Sequence, residues 1–172
     1  DRGDNVFVSV ATDGSKGNVK TQANLAKIRH NETKKGLVEI GKPIMLDFED
    51  GNLHDEKNAK EKISNLIQTV NPDLILTHPP EDYHPDHSAL SNYIRDINGF
   101  KCPLIFSETL LGVNFIPEIY VDITKYFLSK KKAILCHKSQ NPQKFVEATE
   151  ITNRFRSAQC NAPIGNYAEA YR

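Results

Sequence analysis

The stretch NPDLILTHPPEDYHPDHSAL, residues 71–90, decides the fold class of this 172-residue chain. Its apolar run LILTH (74–78) is typical of a strand that is buried in a sheet. A polar, proline-rich loop follows, and Pro85 is suited to the first position of a helix. Apolar residues then recur at helical spacing, at Ala89, Leu90, Tyr93, Ile94 and Ile97. The stretch therefore predicts a strand, a loop and a helix in that order.

The same alternation runs along the rest of the chain. Short apolar runs predict strands at 6–12, 44–48, 74–78 and 104–109. Helical periodicity predicts helices at 21–40, 56–70, 85–97, 124–136 and 142–157. Strands that alternate with helices form βαβ units, so we expect an α/β fold. The predicted architecture is a Rossmann-like three-layer α/β/α sandwich with a mostly parallel sheet, in one domain over 1–172.

Composition excludes several classes of protein. Lys+Arg and Asp+Glu number 22 each, so no basic field indicates nucleic acid as a partner. No apolar run approaches the roughly 20 residues of a membrane span. The three cysteines are widely spaced, fit no CxxC metal pattern, and favour a reducing compartment, hence a cytoplasmic location. A homo-oligomer remains possible.

Three polar segments directly follow predicted strands: TDGSKGN (12–18), EDGNL (49–53) and HPPEDYHPDH (78–87). Ligands of open parallel sheets bind beyond the carboxyl ends of the strands. We therefore expect these three segments to lie together on one rim of the sheet.

Within the third segment, His84 and His87 bracket Pro85 and Asp86. Pro85 favours an extended His84, and Asp86 in the first helical turn interacts favourably with the helix dipole. His87 can then point toward the same rim, with a carboxylate near enough to orient a ring. Such a pair fits a metal or catalytic site, but it equally fits ordinary helix-start chemistry with two loop histidines. Spacing alone leaves both interpretations open.

Residues 71–90 also resemble the third motif region of the PIG-L/LmbE-like zinc deacetylases, which remove acetyl groups from N-acetylglucosamine-type amides. The similarity extends over nearly the whole chain and keeps the family's order. The other matching segments are VFVSVATDG (6–14), RHNETKKGLVEIG (29–41), LDFEDGNL (46–53), PEIYVDIT (117–124), LCHKSQ (135–140) and NYAEAYR (166–172).

The resemblance implies a role for each candidate site residue. His87 would be a zinc ligand, and His84 would polarise the substrate carbonyl, stabilise the oxyanion or protonate the leaving amine. Asp86 would orient and tune a histidine, and Arg29 would meet substrate oxygens at the pocket edge. The implied cofactor is Zn2+, and the implied substrate is an N-acetylated sugar or glycoconjugate.

One family motif is absent from this sequence. The family's His-Pro-Asp-Asp segment, which supplies a histidine and an aspartate as zinc ligands and an aspartate as general base, has no counterpart here. The resemblance therefore predicts a single PIG-L/LmbE-like domain that lacks its N-terminal βα unit. The alternative is a catalytically inactive relative that acts as a carbohydrate- or partner-binding module.

Overall fold

The computed structural model describes residues 3–17 and 24–172, so residue 18 of the predicted first loop and residues 21–23 of the predicted first helix lie outside it. Strands and helices alternate through most of the described chain. The strands are β1 Ser9–Thr12, β2 Ile44–Phe48, β3 Ile75–Thr77, β4 Leu104–Phe106, β5 Ile119–Asp122 and β6 Ala168–Tyr171. The helices are α1 Leu25–Gly36, α2 Ala59–Val70, α3 Pro85–Asn98, α4 Phe127–Leu135 and α5 Pro142–Gln159.

The described strands form three two-stranded sheets, two parallel and one antiparallel. β1 pairs with β2 and β3 pairs with β4, both in parallel, whereas β5 pairs with β6 in antiparallel orientation. β6 joins the end of β4, because Phe106 and Arg172 exchange backbone hydrogen bonds of 2.6 and 2.9 Å. In the described ranges β1 has β2 as its only ladder partner, and β3 has only β4. Each of these two strands therefore keeps one unpaired edge.

Helices cover both faces of the sheet. The largest cluster of buried apolar side chains joins β2 to α2 and α3, which pack against each other. α1 packs against α4, α4 packs against α5, and α5 also packs on β6. The result is the predicted α/β/α arrangement. The buried members of the cluster are Leu46, Phe48, Leu53, Ala59, Ile63 and Ile94.

The structure corrects the length of two strands. The first was predicted over 6–12, but β1 is confined to Ser9–Thr12, and Val6 and Phe7 before it are 60% and 61% exposed. β-branched and aromatic side chains favour strands mainly when they can pack on neighbours, which these exposed side chains lack. The fourth was predicted over 104–109 but ends at Phe106. Ser107 still donates its N–H to Thr77 of β3 and forms a bridge with Tyr171, and Glu108 then donates to Ala170 of β6.

Among the residues that the structure describes, no helix is both long enough and apolar enough to cross a membrane. Cys102, Cys136 and Cys160 all carry free thiols.

Candidate functional site

The three polar segments meet at the carboxyl ends of the parallel strands, as the sequence predicts. Of the first segment, the structure describes residues 12–17. Lys16 donates its backbone N–H to Asp50 Oδ2 at 3.0 Å, and Asp50 donates its own N–H to Asp13 Oδ1 at 3.2 Å. These bonds fix the loop after β1 to the loop after β2. The third segment joins them through a side chain at the start of α3.

That side chain is Asp86, which is only 3% exposed. Its two carboxylate oxygens accept the backbone N–H groups of Gly51, at 2.7 Å, and Leu53, at 3.1 Å. The resemblance implies that the Asp86 carboxylate orients a histidine, but the hydrogen bonds of both its oxygens go to the loop after β2, and its contact with a histidine is made by the backbone. The group involved is the Asp86 backbone N–H, which donates to His84 Nδ1 at 3.2 Å, while the carboxylate holds the loop after β2.

His84 caps the N-terminus of α3. Its backbone is extended, with φ −89° and ψ 125°, and Pro85 occupies the first helical position. The Asp86 N–H that His84 accepts is one of the donors that a helix start leaves without an intrahelical partner. The extended backbone of His84 is the conformation that the following Pro85 predicts, and this conformation sets the direction of the His84 ring.

Asp82 is the carboxylate that contacts His87. Its side chain is fully buried, and Oδ1 accepts the His84 backbone N–H at 2.8 Å and lies 3.1 Å from His87 Nδ1. Sequence reasoning assigned Asp82 only to a polar rim. The five-residue separation from His87 spans a loop and a helix start, so no simple periodicity indicates the contact.

Three imidazole rings stack beside this carboxylate. The His78 and His87 ring centroids lie 3.9 Å apart, and those of His84 and His87 lie 4.5 Å apart. Burial lowers the pKa of His78 to about 4, and the neighbouring His87 adds to this effect. Burial also lowers the pKa of His87, with Asp82 acting in the opposite direction. His78 is therefore neutral at pH 7, and the neutral ring is favoured in His87, which suits a metal ligand.

His78, Asp82 and His87 form a group whose potential ligand atoms lie within 4.8 Å of one another. Asp82 Oδ2 is buried without a hydrogen-bond partner among the described residues. The two histidines, however, are stacked with an interplanar angle of 15°. An imidazole binds a metal in its own plane, at about 2.0–2.1 Å for zinc. Nearly parallel rings cannot converge on one ion, so His87 fits a cation through Nε2, while Asp82 contacts its Nδ1 and His78 packs behind it.

Arg29 reaches the same rim from α1. Its guanidinium Nη1 donates to the Gly14 carbonyl oxygen at 2.9 Å and lies 3.7 Å from Asp50 Oδ2. Gly14 has a φ of +69°, and a Cβ at this position would approach Arg29 Nη1 to 2.5 Å. A glycine is therefore required both by the backbone and by the guanidinium. Asp50, which sequence reasoning did not single out, shares the pocket edge with Arg29.

Glu81 anchors the opposite side of the third segment. Its carboxylate pairs with Arg172 Nη1 at 2.6 Å, and this hydrogen bond lowers the pKa of Glu81. The guanidinium also lies over the rings of Phe106 and Phe115, at 5.6 and 5.5 Å from their centroids. Tyr83, two residues further on, is 55% exposed at the rim.

The fold and site define a class: three-layer α/β/α proteins that gather imidazole and carboxylate groups at the carboxyl rim of the sheet. Residues 1–98 match the model of the PIG-L family, described as GlcNAc-PI de-N-acetylase. The match covers more than half of the chain, and it includes all four predicted site residues. The chain belongs to the PIG-L family.

Two curated relatives are similar to this chain. The probable N-acetyl-alpha-D-glucosaminyl L-malate deacetylase 2 of Bacillus cereus is 33% identical over 129 residues, which cover 66% of this chain and 57% of the relative. The diacetylchitobiose deacetylase of Thermococcus kodakarensis is 27% identical over 195 residues, which cover 100% of this chain and 73% of the relative. The chain thus spans little more than half the length of the first relative.

A solved structure confirms the fold. The 4-carboxy-2-hydroxymuconate hydratase GalB of Pseudomonas putida superimposes with a TM-score of 0.80 at 20% identity, covering 96% of this chain and 82% of GalB. At 20% sequence identity, this structural similarity shows a shared fold and not a shared reaction. Its reaction differs from those of the two deacetylases, so fold alone does not select the chemistry.

Proposed function

We propose that the complete protein is a zinc-dependent hydrolase that removes the acetyl group from an N-acetylglucosamine-type sugar or sugar conjugate. The observation that carries this proposal is the pair of adjacent imidazoles, His84 and His87, fixed by one buried carboxylate at the rim. The names of both curated relatives, which describe deacetylases of N-acetylated sugars, support the choice of reaction.

In this proposal His87 holds the zinc ion, as the family resemblance implies. Asp82 Oδ1 lies 3.1 Å from His87 Nδ1, which leaves Nε2 for the ion. When bound, zinc would supply a Lewis acid that polarises the amide carbonyl. The burial of His87 favours the unprotonated ring that a metal requires.

The other residues bind and orient the substrate. His84 donates a hydrogen bond to the carbonyl oxygen, where negative charge develops during amide hydrolysis. Arg29 binds substrate oxygens at the pocket edge, and Asp50 beside it accepts hydrogen bonds from sugar hydroxyls. Asp86 keeps the loop that carries Asp50 in place.

The open strand edges support a further part of the proposal, that the 172 residues form one domain which another βα unit completes. The structure exposes 11039 Å². A compact monomer of 19.4 kDa exposes about 8,500 Å². Phe7 before β1 and Leu76 in β3 are 61% and 57% exposed. A parallel strand between β1 and β3 would cover both, and the family resemblance assigns the remaining zinc ligands and the general base to that unit.

The test is to purify the full-length protein, determine its zinc content, and measure acetate release from N-acetylglucosamine and diacetylchitobiose. We expect about one equivalent of zinc and acetate release that a chelator abolishes and zinc restores. Sugar binding without acetate release would favour the alternative, a catalytically inactive carbohydrate-binding relative. Hydration of 4-carboxy-2-hydroxymuconate without acetate release would replace the proposal with a hydratase of the GalB type.

The three free thiols support the expected reducing, cytoplasmic compartment.

A further inference from the structure

One buried carboxylate oxygen contacts both histidines of the site. We propose that Asp82 is a positioning residue: its Oδ1 fixes the tautomer of His87 directly and supports the opposite tautomer of His84 through the His84 backbone. His87 then offers a ring lone pair to a cation, and His84 offers an N–H to a substrate oxygen. The use of these tautomers rests on the proposed deacetylase function, whereas the tautomers themselves do not.

The contact with Asp82 assigns the proton of His87. A carboxylate can only accept a hydrogen bond, so the 3.1 Å contact with Asp82 Oδ1 places the His87 proton on Nδ1. In a neutral ring Nε2 is then unprotonated. A histidine whose other ring nitrogen donates to a carboxylate is the arrangement that metal ligands commonly show.

Different contacts assign the proton of His84. Its Nδ1 lies 3.2 Å from the Asp86 backbone N–H, which can only donate. Nδ1 is therefore unprotonated, and the proton resides on Nε2. Asp82 supports this state through the backbone, because its Oδ1 accepts the His84 N–H at 2.8 Å and holds the extended conformation in which the ring caps α3. Of the roles that the resemblance implies for His84, this tautomer fits hydrogen-bond donation to the carbonyl oxygen.

Burial of the Asp82 side chain keeps its carboxylate in contact with His87. The Asp82 side chain is fully buried, so its carboxylate cannot turn toward solvent. A neutral imidazole without a partner favours the proton on Nε2. Removal of the acceptor oxygen would consequently shift His87 toward the tautomer that cannot bind a metal through Nε2.

The first measurement is the tautomeric state of both rings, determined by proton–nitrogen correlation spectra of the metal-free full-length protein near pH 7.5. We expect His87 with its proton on Nδ1 and His84 with its proton on Nε2. This experiment needs no variant and no bound zinc. A His87 ring protonated on Nε2 would overturn the proposal.

The second measurement compares two variants by chelator competition for zinc. Asp82→Ala removes the acceptor, so His87 should shift its proton to Nε2 and zinc affinity should fall about 10–100-fold. Asp82→Asn keeps an oxygen at the Oδ1 position, so most of the tautomer preference and affinity should be retained. Asp73→Ala, at an exposed aspartate before β3, is the matched control and should leave affinity unchanged.

Each result separates the alternatives. An unchanged tautomer and affinity in Asp82→Ala would overturn the positioning role. Equal loss in Asp82→Asn and Asp82→Ala would also overturn it, because the carboxylate would then act through its charge or as a direct ligand. Wild-type protein that shows the expected tautomers but releases no acetate would instead overturn the proposed function alone.

Discussion

At the scale of single residues, buried carboxylates connect parts of the rim that are distant in sequence. Asp86 lies in the first turn of α3, yet both of its oxygens accept N–H groups from the loop after β2. A hydrogen bond to a charged group contributes about 1.5–3 kcal/mol, and a buried N–H left without an acceptor costs a similar amount. The side chain therefore combines a structural task with its place beside His84.

We predict that Asp86→Ala lowers the free energy of unfolding by about 3 kcal/mol, because the N–H groups of Gly51 and Leu53 lose their acceptors. Urea denaturation followed by circular dichroism measures this change. Asp96→Ala is the matched control, since Asp96 forms a fully exposed pair with Lys60 and its loss should change the free energy of unfolding little. Equal losses in the two variants would show that the loop does not depend on Asp86.

The two histidines should respond differently to substitution in the full-length protein. His87→Ala should abolish zinc retention. His84→Ala should keep the metal and lower kcat by about 10²–10³-fold, the typical cost of losing one donor to a developing oxyanion. His54→Ala, an exposed histidine outside the stack, should change neither zinc content nor turnover. Zinc analysis and acetate release measure both effects, and normal deacetylation by either site variant would contradict its assigned role.

The sequence predicted part of the site at this scale. Local rules suffice for His84 and Pro85, because the capping geometry depends on neighbouring residues alone. The roles of Asp82 and Asp50 depend on how loops fold back over α3 and α1, and no spacing in the chain expresses those contacts. The assigned roles of His84, Asp86, His87 and Arg29 remain predictions.

At the scale of elements, a buried ion pair attaches α5 to the loop that follows β4. Arg156 Nε lies 3.0 Å from both carboxylate oxygens of Glu108, and the side chains are only 8% and 6% exposed. This hydrogen bond raises the pKa of Arg156. Removal of one partner of such a pair leaves an uncompensated buried charge.

We predict that Arg156→Ala destabilises the protein by about 3–5 kcal/mol, because Glu108 would remain buried without a partner. Arg154→Ala, two residues earlier on the same helix, removes an exposed pair with Glu150 and should cost less than about 1 kcal/mol. Thermal and urea unfolding of both variants provide the measurement. A small loss for Arg156→Ala would mean that the loop relaxes and lets Glu108 reach solvent.

The elements themselves differ in how well sequence predicts them. α2 and α3 follow from helical periodicity, and the structure confirms both. β5 and β6 were not predicted as strands, because IYVD and AEAY are short and their pairing joins positions about 50 residues apart. Long-range pairing of this kind depends on the whole fold, which also explains why the antiparallel end of the sheet was missed.

At the scale of the whole molecule, acid should weaken the metal-free protein before its carboxylates are protonated. The pKa of His78 falls from an ordinary 6.5 to about 4 on folding. Between these values the unfolded chain binds a proton that the folded chain does not, so stability decreases as pH falls from 6.5 to 4. The full shift corresponds to about 3 kcal/mol. His87 contributes in the same direction.

Urea denaturation at several pH values, with a chelator present, measures this decline. His78→Gln should flatten the curve between pH 6.5 and 4, whereas His54→Gln should leave its slope unchanged. Stability that stays constant over this range in the unsubstituted protein would show that the buried imidazole can be charged without cost.

The unpaired edges of β1 and β3 have a consequence for how the proposed enzyme could be assembled. A strand that is held by backbone hydrogen bonds on both sides does not need a covalent link to the rest of the sheet. If the proposed completing unit is supplied as a separate polypeptide, acetate release would depend on the two pieces meeting. If two other proteins were fused to the two pieces, acetate release would then show whether those proteins come close to each other.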